Sequence, residues 1–222
     1  MSGLVASCNT EPSDAPAKAD APEWTAEVSE VDTTTQQNVE VKTIGAADFA
    51  PWRGGQPIPA GATVRTPATV KAAIALPHEG RLTLNHSTSV ELAEAHKLIL
   101  TSGEAVLEYP PGKKDDVHML LPQGEAILHG TKVAFVAGEK DSTITITQGL
   151  VEVRHDGQSF EGRAGQEIVL RTGAAPLVTQ SPDLGRRVGW SQLGESEAAA
   201  ALPEVPRGLG KLVGKIPGGE SE

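Results

Sequence analysis

The stretch GEAILHGTKVAFVAGEKDSTITITQGLVEV, from Gly124 to Val153, decides the fold class of this chain. Apolar and polar residues alternate along it with a period of two, which is the pattern of strands that bury one face. Its segment Thr143–Thr147 places threonines on one face and isoleucines on the other, and both residue types favour strands. Glu139-Lys140-Asp141 interrupts the alternation with turn-forming residues. The stretch therefore predicts consecutive strands joined by tight turns.

The same arrangement extends to both sides, because a glycine precedes a short alternating segment six times between residues 60 and 170. These glycines are Gly61, Gly80, Gly103, Gly124, Gly149 and Gly165, and Gly130 stands at a further turn. Glycine adopts positive φ at little steric cost, so each of these positions is predicted to be a structural turn. Only Glu91–Leu98 could form a helical turn, and the strand patterns beside it favour a strand. The sequence thus predicts an all-β fold of about a dozen short strands, arranged as a solenoid, a roll or a sandwich.

Composition divides the chain into three parts. We expect residues 1–23 to form a lipobox-like start and a disordered acidic tether, and residues 24–176 to form the all-β domain. Residues 177–222 are predicted to be a capping segment, through Trp190, and a linker rich in Gly, Pro and Ala. Aromatic residues make up only 3% of the chain, so its core must be built from Val, Leu, Ile and Ala. The two tails are therefore predicted to be flexible and the middle to be a thin β-layered body.

The net charge of −10 and the absence of a basic stripe argue against nucleic acid as a partner. Protein affinity for nucleic acid depends mostly on Lys and Arg that neutralise phosphates. No stretch is long enough to span a membrane, so no transmembrane helix is expected. Phe49 and Trp52 are predicted to hold the Gly- and Pro-rich segment around them against the body.

Cys8 is the only cysteine, and the run Val5-Ala6-Ser7-Cys8 resembles a bacterial lipobox. This resemblance makes Cys8 a predicted site of lipid attachment. The preceding MSGLVAS lacks the basic and apolar regions of a secretory signal. Either a signal peptide is missing upstream or the lipobox match is accidental, and the sequence leaves both alternatives open.

Residue types that carry catalysis form no recognisable pattern. The histidines are His78, His86, His96, His118, His129 and His155. No two of them have the His-x-His or i, i+4 spacing of a metal site, so we expect scattered surface or turn histidines. Neither a nucleophile elbow nor a phosphate-binding loop is present, and Asp115-Asp116 lies in a charged turn. We therefore predict no enzyme activity and no cofactor.

Several ordered motifs between Trp52 and Leu170 are similar to those of the FecR-type periplasmic domain. They are Gly61 with Arg65-Thr66, Glu79-Gly80-Arg81-Leu82, Pro122-x-Gly124, Gly130-Thr131 with Val133 and Phe135, the Gly149–Val153 strand and Gly165-Gln166. The family takes its name from regulators of ferric-citrate uptake. Two departures are the missing cytoplasmic helical domain and membrane-spanning helix, so anti-sigma activity is not carried over. The C-terminal LPEVPRGLGKLVGKIPG resembles the junction between a FecR-like region and a following VIT domain.

The resemblance implies a non-enzymatic protein of the bacterial cell envelope that acts in protein–protein interaction or signal sensing. We expect it in the periplasm or on the cell surface, with unknown envelope proteins as partners and an interaction surface that the sequence does not locate. Two alternatives remain open. One is a carbohydrate- or peptidoglycan-binding wall module that uses Trp52, Tyr109 and Trp190, and the other is a metal-dependent, cupin-like β-barrel enzyme with converging histidines.

Overall fold

The computed structural model describes residues 25–33, 35–53, 55–94, 96–112, 116–181 and 183–193. These residues form seventeen strands, one 3-10 turn (Pro77–Glu79) and one short α-helix, α1 (Leu184–Gly189). Strands account for 61% of them, which confirms the predicted all-β class. In chain order the strands are β1 (Thr25–Thr33), β2 (Glu40–Lys42), β3 (Ala50–Pro51), β4 (Ile58–Pro59), β5 (Ala62–Arg65), β6 (Val70–Leu76), β7 (Gly80–Leu84), β8 (Ser89–Glu94), β9 (Lys97–Glu108), β10 (Val117–Leu121), β11 (Gly124–Leu128), β12 (Lys132–Ala137), β13 (Asp141–Gln148), β14 (Leu150–His155), β15 (Gln158–Arg163), β16 (Gln166–Arg171) and β17 (Ala174–Gln180).

Hydrogen bonding organises the strands into two ladders. Ladder I has the order β3-β2-β5-β8-β9-β10-β11-β14-β15. Ladder II has the order β1-β6-β7-β9-β12-β13-β16-β17. All these pairs are antiparallel except β9 with β10, and β1 also pairs at its start with β4. Because the pairing is almost wholly antiparallel, the structure is not a parallel β-solenoid.

Strand β9 belongs to both ladders. Its first half pairs with β8 and β10 in ladder I, and its second half, from Gly103 onwards, pairs with β7 and β12 in ladder II. Gly103 has a φ of +93°, and a Cβ there would lie 2.6 Å from the Cα of Thr88. Only glycine fits this position without strain, because both the backbone conformation and the close approach exclude a side chain.

The two ladders pack face to face around one hydrophobic core. Gly162 in ladder I leaves room for two side chains of ladder II, since a Cβ there would lie 2.5 Å from Ile146 Cδ1 and 2.6 Å from Ile168 Cδ1. Gly124 meets Leu170 of ladder II in the same way. The largest fully buried side chains are Phe135, Ile58, Ile74, Leu82, Leu84, Leu92, Leu98, Leu100, Leu107, Met119, Leu128 and Ile144. The molecule is thus a two-layered, mainly aliphatic sandwich, and burying each such side chain contributes about 1.5–3 kcal/mol.

The structure has more strands than the dozen expected, partly because the Gly- and Pro-rich segment forms the two-residue strands β3 and β4. Trp52 packs against the core and donates its indole N–H to the Gln56 carbonyl at 3.2 Å. Phe49 lies under the Arg65 guanidinium, 4.1 Å from its ring centroid. Both aromatic residues therefore hold this segment to the body, as predicted. Within the segment Glu91–Leu98, residues 91–94 belong to β8 and residues 97–98 to β9, and the turn residue His96 has a φ of +61°, so the described residues of the segment are not helical.

The short helix α1 lies against β13 of ladder II. Asp183 caps it by accepting a hydrogen bond from the Arg186 backbone N–H at 3.2 Å. Arg187 forms an ion pair of 3.0 Å with Glu167 of β16. Beyond the helix, Leu193 is buried. Within the described part of the chain, no helix has the length and apolar character needed to cross a bilayer.

Candidate interaction edge

Strand β17 forms one edge of ladder II, and it differs in chemistry from the other edges. Among the described residues it pairs with β16 alone, and all of its residues except Pro176 are exposed. Its sequence AAPLVTQ has no charged residue, and Leu177 and Val178 are 51% and 44% exposed. An exposed apolar edge of this length is a template for pairing with another strand.

The remaining edges carry features that oppose such pairing. The β15 edge of ladder I presents Glu161 and Arg163, and the β1 edge of ladder II presents Glu27, Glu30 and Asp32. The β3 edge and β4, which is paired with β1, each have only two residues, one of which is a proline. Charges, prolines and short length are the devices by which proteins protect edge strands. The described edges therefore leave β17 as the one suited to accept a partner strand.

The register of β17 identifies which of its backbone groups face outwards. The Ser181 N–H donates to the Gly165 carbonyl at 2.7 Å, so Ser181 faces β16. Backbone groups alternate in direction along an antiparallel strand. The N–H and C=O groups of Val178 and Gln180 consequently point away from β16. Pro176 falls in the same outward series, where its missing N–H costs no internal hydrogen bond. Val178 and Gln180 are thus the two positions that direct both an N–H and a C=O towards a neighbouring strand.

The start of β17 is held by His155, the last residue of β14, and by Asp156 in the turn that follows it. The Gly173 N–H donates to Asp156 Oδ2 at 3.0 Å. His155 Nε2 lies 2.9 Å from the carbonyl oxygen of Ala174, the first residue of β17. His155 Nδ1 lies 2.5 Å from the carbonyl oxygen of Gln123, and its side chain is only 2% exposed. One buried ring therefore connects the β10–β11 turn to the start of the edge strand.

The surroundings of His155 raise its pKa above the ordinary value. The Gln123 carbonyl is the main cause, because it favours a proton on Nδ1, and the Ala174 carbonyl and Asp156 carboxylate act in the same direction. Burial opposes them, since it disfavours the charged ring. Asp156 Oδ2 lies 3.3 Å from Nε2. Hydrogen bonding and charge together therefore outweigh desolvation.

The turn that contacts His155 is itself fixed in place. The side chain of Gln123 donates to the carbonyls of Gly138 and Glu139 at 3.3 and 3.1 Å. Ser142 donates its hydroxyl to Gln123 Oε1. Because Gln123 is anchored on both its amide nitrogen and its amide oxygen, it presents its backbone carbonyl to His155 in one position.

A groove of about 500 Å³ lies between α1 and the outer face of ladder II, with Glu104, Thr145, Arg187 and Trp190 among its lining residues. Arg187 is paired with Glu167. Its neighbour Arg186, which is also at the groove, is paired with Asp183 at 3.0 Å. Both arginines are therefore already paired with carboxylates of the chain. An anionic ligand in the groove would have to compete with these two ion pairs.

The outer face of ladder II also carries a row of alternating charges. Arg81 donates two hydrogen bonds to Glu30, at 2.9 and 3.2 Å, and Lys132 pairs with Glu108 at 2.6 Å. Arg81 and Glu108 are directly opposite in the register. Such exposed pairs add little stability, but they keep the face solvated. This polar face contrasts with the uncharged edge of β17.

The histidines do not converge. His78 and His96 stack with their ring centroids 5.6 Å apart, and His118 and His129 each pair with a carboxylate on the surface. No group of three or more potential ligands that could hold a metal occurs within residues 25–193 as far as the structure describes them. His155 departs from the expectation of a surface or turn histidine, because it is buried. Its place in the alternating run Val151, Val153, His155 could have revealed an inward side chain.

Among the aromatic residues considered for sugar binding, Tyr109 is only 5% exposed. Trp52 packs against the core and Trp190 lines the groove beside α1. A sugar-binding platform needs exposed ring faces, which Tyr109 does not provide. Neither the carbohydrate nor the metal alternative thus gains a site from the described residues.

The predicted turn glycines fall into two groups. Gly61, Gly103, Gly130, Gly149 and Gly165 have positive φ. Gly80 and Gly124 do not, and each begins a strand where a Cβ would clash: with Tyr109 Cδ2 at 2.8 Å for Gly80, and with the Arg154 carbonyl oxygen at 2.6 Å for Gly124. Close approach is therefore the reason for glycine at these two positions. Cys8 lies outside the described residues, as do the tether before residue 25 and the linker after residue 193.

Residues 62–152 match the family model of the FecR protein, and the chain thus carries a FecR family domain over this range. The match begins at β5 and ends within β14, so it includes the shared strand β9. It supports the predicted resemblance. A search of curated proteins gave no match.

Solved structures similar to the chain include two crystal structures of a "putative anti-sigma factor" from Parabacteroides distasonis ATCC 8503, at 1.65 and 2.50 Å resolution. The first is 15% identical with a TM-score of 0.51, and the match covers 58% of this chain and 63% of that chain. The second is 14% identical with a TM-score of 0.48, and the match covers 54% and 59%. The chain therefore matches less than two thirds of either structure, and the first shows a shared fold alone.

Proposed function

We propose that this protein is a non-enzymatic signalling or sensing module of the bacterial cell envelope, and that it recognises a protein partner by strand addition at β17. The FecR domain supports the signalling part, because this family is one of envelope-associated regulators. The similar fold of a protein described as an anti-sigma factor points in the same direction. The observation that carries the strand-addition part is the exposed and uncharged edge of β17.

In this mode of recognition an extended segment of the partner becomes the next strand of the sheet. Val178 and Gln180 supply the main-chain donors and acceptors, and they give affinity with little dependence on the partner's sequence. Leu177 and Val178 are consecutive, so their side chains contact opposite faces of the added strand. Selectivity then comes from the partner side chains that meet these two residues.

Photo-crosslinking in native bacterial cells tests the proposal. A photoreactive amino acid replaces Leu177 in one variant, and Glu161 on the β15 edge in a second, control variant. We expect a defined adduct with one envelope protein from position 177 and none from position 161, because only the β17 edge accepts a strand.

The adduct is then measured with two substitutions of Val178, of which only one removes the outward N–H of this residue. Val178→Pro removes this donor without removing a hydrogen bond to β16, whereas Val178→Ala shortens the side chain and keeps the donor. Strand addition requires that Val178→Pro abolishes the adduct and Val178→Ala retains it. Equal adducts in both backgrounds would show that the partner contacts side chains instead of the strand edge. An adduct between two copies of the chain would replace the envelope partner by self-association.

A further inference from the structure

The ring of His155 has an acceptor on each side. Nδ1 lies 2.5 Å from the Gln123 carbonyl oxygen and Nε2 lies 2.9 Å from the Ala174 carbonyl oxygen. A carbonyl oxygen only accepts hydrogen bonds, so both ring nitrogens must donate. A neutral imidazole has one N–H, and only the imidazolium has two. The geometry therefore calls for a charged ring at a site where the side chain is 2% exposed.

The elements packed around the ring provide one counter-charge. Asp156, in the turn after β14, brings Oδ2 to 3.3 Å from Nε2. Arg171 at the end of β16 presents its backbone to the ring, and its guanidinium is directed to Asp141 at 3.8 Å. The β10–β11 turn contributes the uncharged Gln123. A carboxylate and carbonyl dipoles thus surround the ring, as a buried cation requires.

We propose that His155 is a buried imidazolium that clamps the start of β17, and that the order of this edge strand consequently depends on pH. When both nitrogens are protonated, the ring joins the anchored Gln123 turn to Ala174. When one proton is lost, a nitrogen lone pair faces a carbonyl oxygen at one of these two contacts. The attraction between the ring and Asp156 is lost at the same time. The clamp then opens on one side, and β17 loses part of its attachment.

The direction of the pH effect follows from the raised pKa of His155 in the folded protein. In the unfolded chain a histidine titrates at about 6.5. A group with a raised folded-state pKa contributes its full stabilisation below the unfolded value, and it loses this stabilisation as pH rises through the folded value. The edge is therefore ordered in mildly acidic solution, and it loosens as the pH rises above about 6.5 and through the folded-state pKa.

One consequence rests on the proposed function: an ordered edge binds a partner strand more tightly, because less entropy is lost on pairing. Partner recognition at β17 would then be strongest in mildly acidic surroundings. This consequence concerns regulation of the edge, whereas the clamp itself is a property of the isolated protein and is measured without a partner.

Two measurements on the full chain test the clamp. The first is an NMR titration of the ring nitrogens of His155. We expect the ring to hold two N–H protons at pH 6.5 and to lose one only above the ordinary histidine pKa of about 6.5. A ring with one proton and no charge at pH 6 would overturn the proposal, and this titration uses the wild-type protein, so it does not depend on any variant folding.

The second is hydrogen exchange of the Leu177 and Thr179 amides, which face β16, corrected for the intrinsic effect of pH, with β12 as the internal reference. Exchange of β17 relative to β12 should become about fivefold faster between mildly acidic and alkaline pH, the effect of one lost hydrogen bond on local opening. His155→Gln should remove this pH dependence, and His129→Gln should retain it. A β17/β12 ratio that stays constant with pH in the wild type contradicts the clamp.

The outcomes for the clamp and for the proposed function are independent. A pH-dependent β17 with no crosslinked partner would leave the clamp standing and reject strand addition. A specific adduct at position 177 together with pH-independent exchange would leave strand addition standing and reject the clamp.

Discussion

At the scale of single residues, the glycines show what sequence can and cannot predict. Their regular spacing ahead of alternating segments predicts turns, because positive φ is a local property of the chain. Glycine is needed at position 124 for a different reason, because the Arg154 carbonyl oxygen approaches it across the sheet and leaves no room for a side chain. That approach depends on the pairing of β11 with β14, which the local pattern does not specify. His155 is an intermediate case, because the alternation of β14 predicts its burial but not its two carbonyl partners.

Gly103 and Gly112 form a matched pair for measuring the cost of close approach. Both have positive φ, +93° and +81°, but a Cβ at Gly112 meets no atom within 4 Å. We expect Gly112→Ala to lower the free energy of unfolding by about 1–2 kcal/mol, the backbone cost alone. Gly103→Ala should lower it by about 3 kcal/mol or more, because the new methyl group also overlaps Thr88.

Urea unfolding of the two variants and the wild type, followed by circular dichroism, gives these differences. Equal losses of stability in the two variants would show that β9 tolerates a side chain where it passes from ladder I to ladder II. The position would then be a simple turn, as the sequence pattern alone predicts.

At the scale of secondary-structure elements, the strands themselves are predictable and their pairing is not. Alternation in β12, β13 and β14 is local, so it identifies the strands from sequence. The passage of β9 from one ladder to the other depends on contacts with β8 and β12, which are distant in the chain. The two-residue strands β3 and β4 form in a segment whose prolines oppose sheet structure, because Trp52 and the neighbouring strands hold it in place. Tertiary contacts override local preference there.

Thr88, which immediately precedes β8, forms a junction between the start of that strand and the second half of β9 through its hydroxyl. It accepts a hydrogen bond from the Glu104 N–H at 3.0 Å, and it lies 3.1 Å from the Glu104 carbonyl, to which it donates. Thr88→Val keeps the shape and removes both interactions, so it should lower the free energy of unfolding by about 1–3 kcal/mol. Thr101→Val on the exposed face of β9 is the control, and it should change the stability by less than about 0.5 kcal/mol.

Chemical denaturation of both threonine variants under one set of conditions provides the comparison. If Thr88→Val were as stable as Thr101→Val, ordered water or a shifted backbone would be satisfying the Glu104 N–H. The junction would then not depend on this hydroxyl.

At the scale of the whole molecule, composition predicts the general character of the protein, and the comparison with known proteins adds a FecR domain over residues 62–152. Sparse aromatic residues predict an aliphatic, thin-layered core, and the core contains mainly Val, Leu, Ile and Ala. The choice between a solenoid, a roll and a sandwich could not be made from sequence, because all three present glycine-led strands at similar spacing. The interaction edge could not be located either, because AAPLVTQ becomes an edge only through the order of strands in ladder II.

We propose that Cys8 is lipidated and that this lipid attaches the protein to a membrane. Expression in a native host with labelled palmitate should give label in the wild type and none in Cys8→Ser, because lipidation requires the thiol. Membrane fractionation of the same cells should show the variant released. Equal labelling of both proteins would reject the lipid anchor and would leave the β17 proposal unaffected.

The sharing of β9 has a consequence for how the molecule is made. Neither layer can complete its hydrogen bonding before residues 97–108 are in place, because this one strand lies in the middle of both. During synthesis, strands β1 to β8 therefore keep unpaired edges until this later segment has been made. Long-range pairing of this kind slows folding and exposes strands to aggregation in the meantime. We therefore expect the two layers to fold together. A chain that ends before Gly103 is expected to form neither layer on its own.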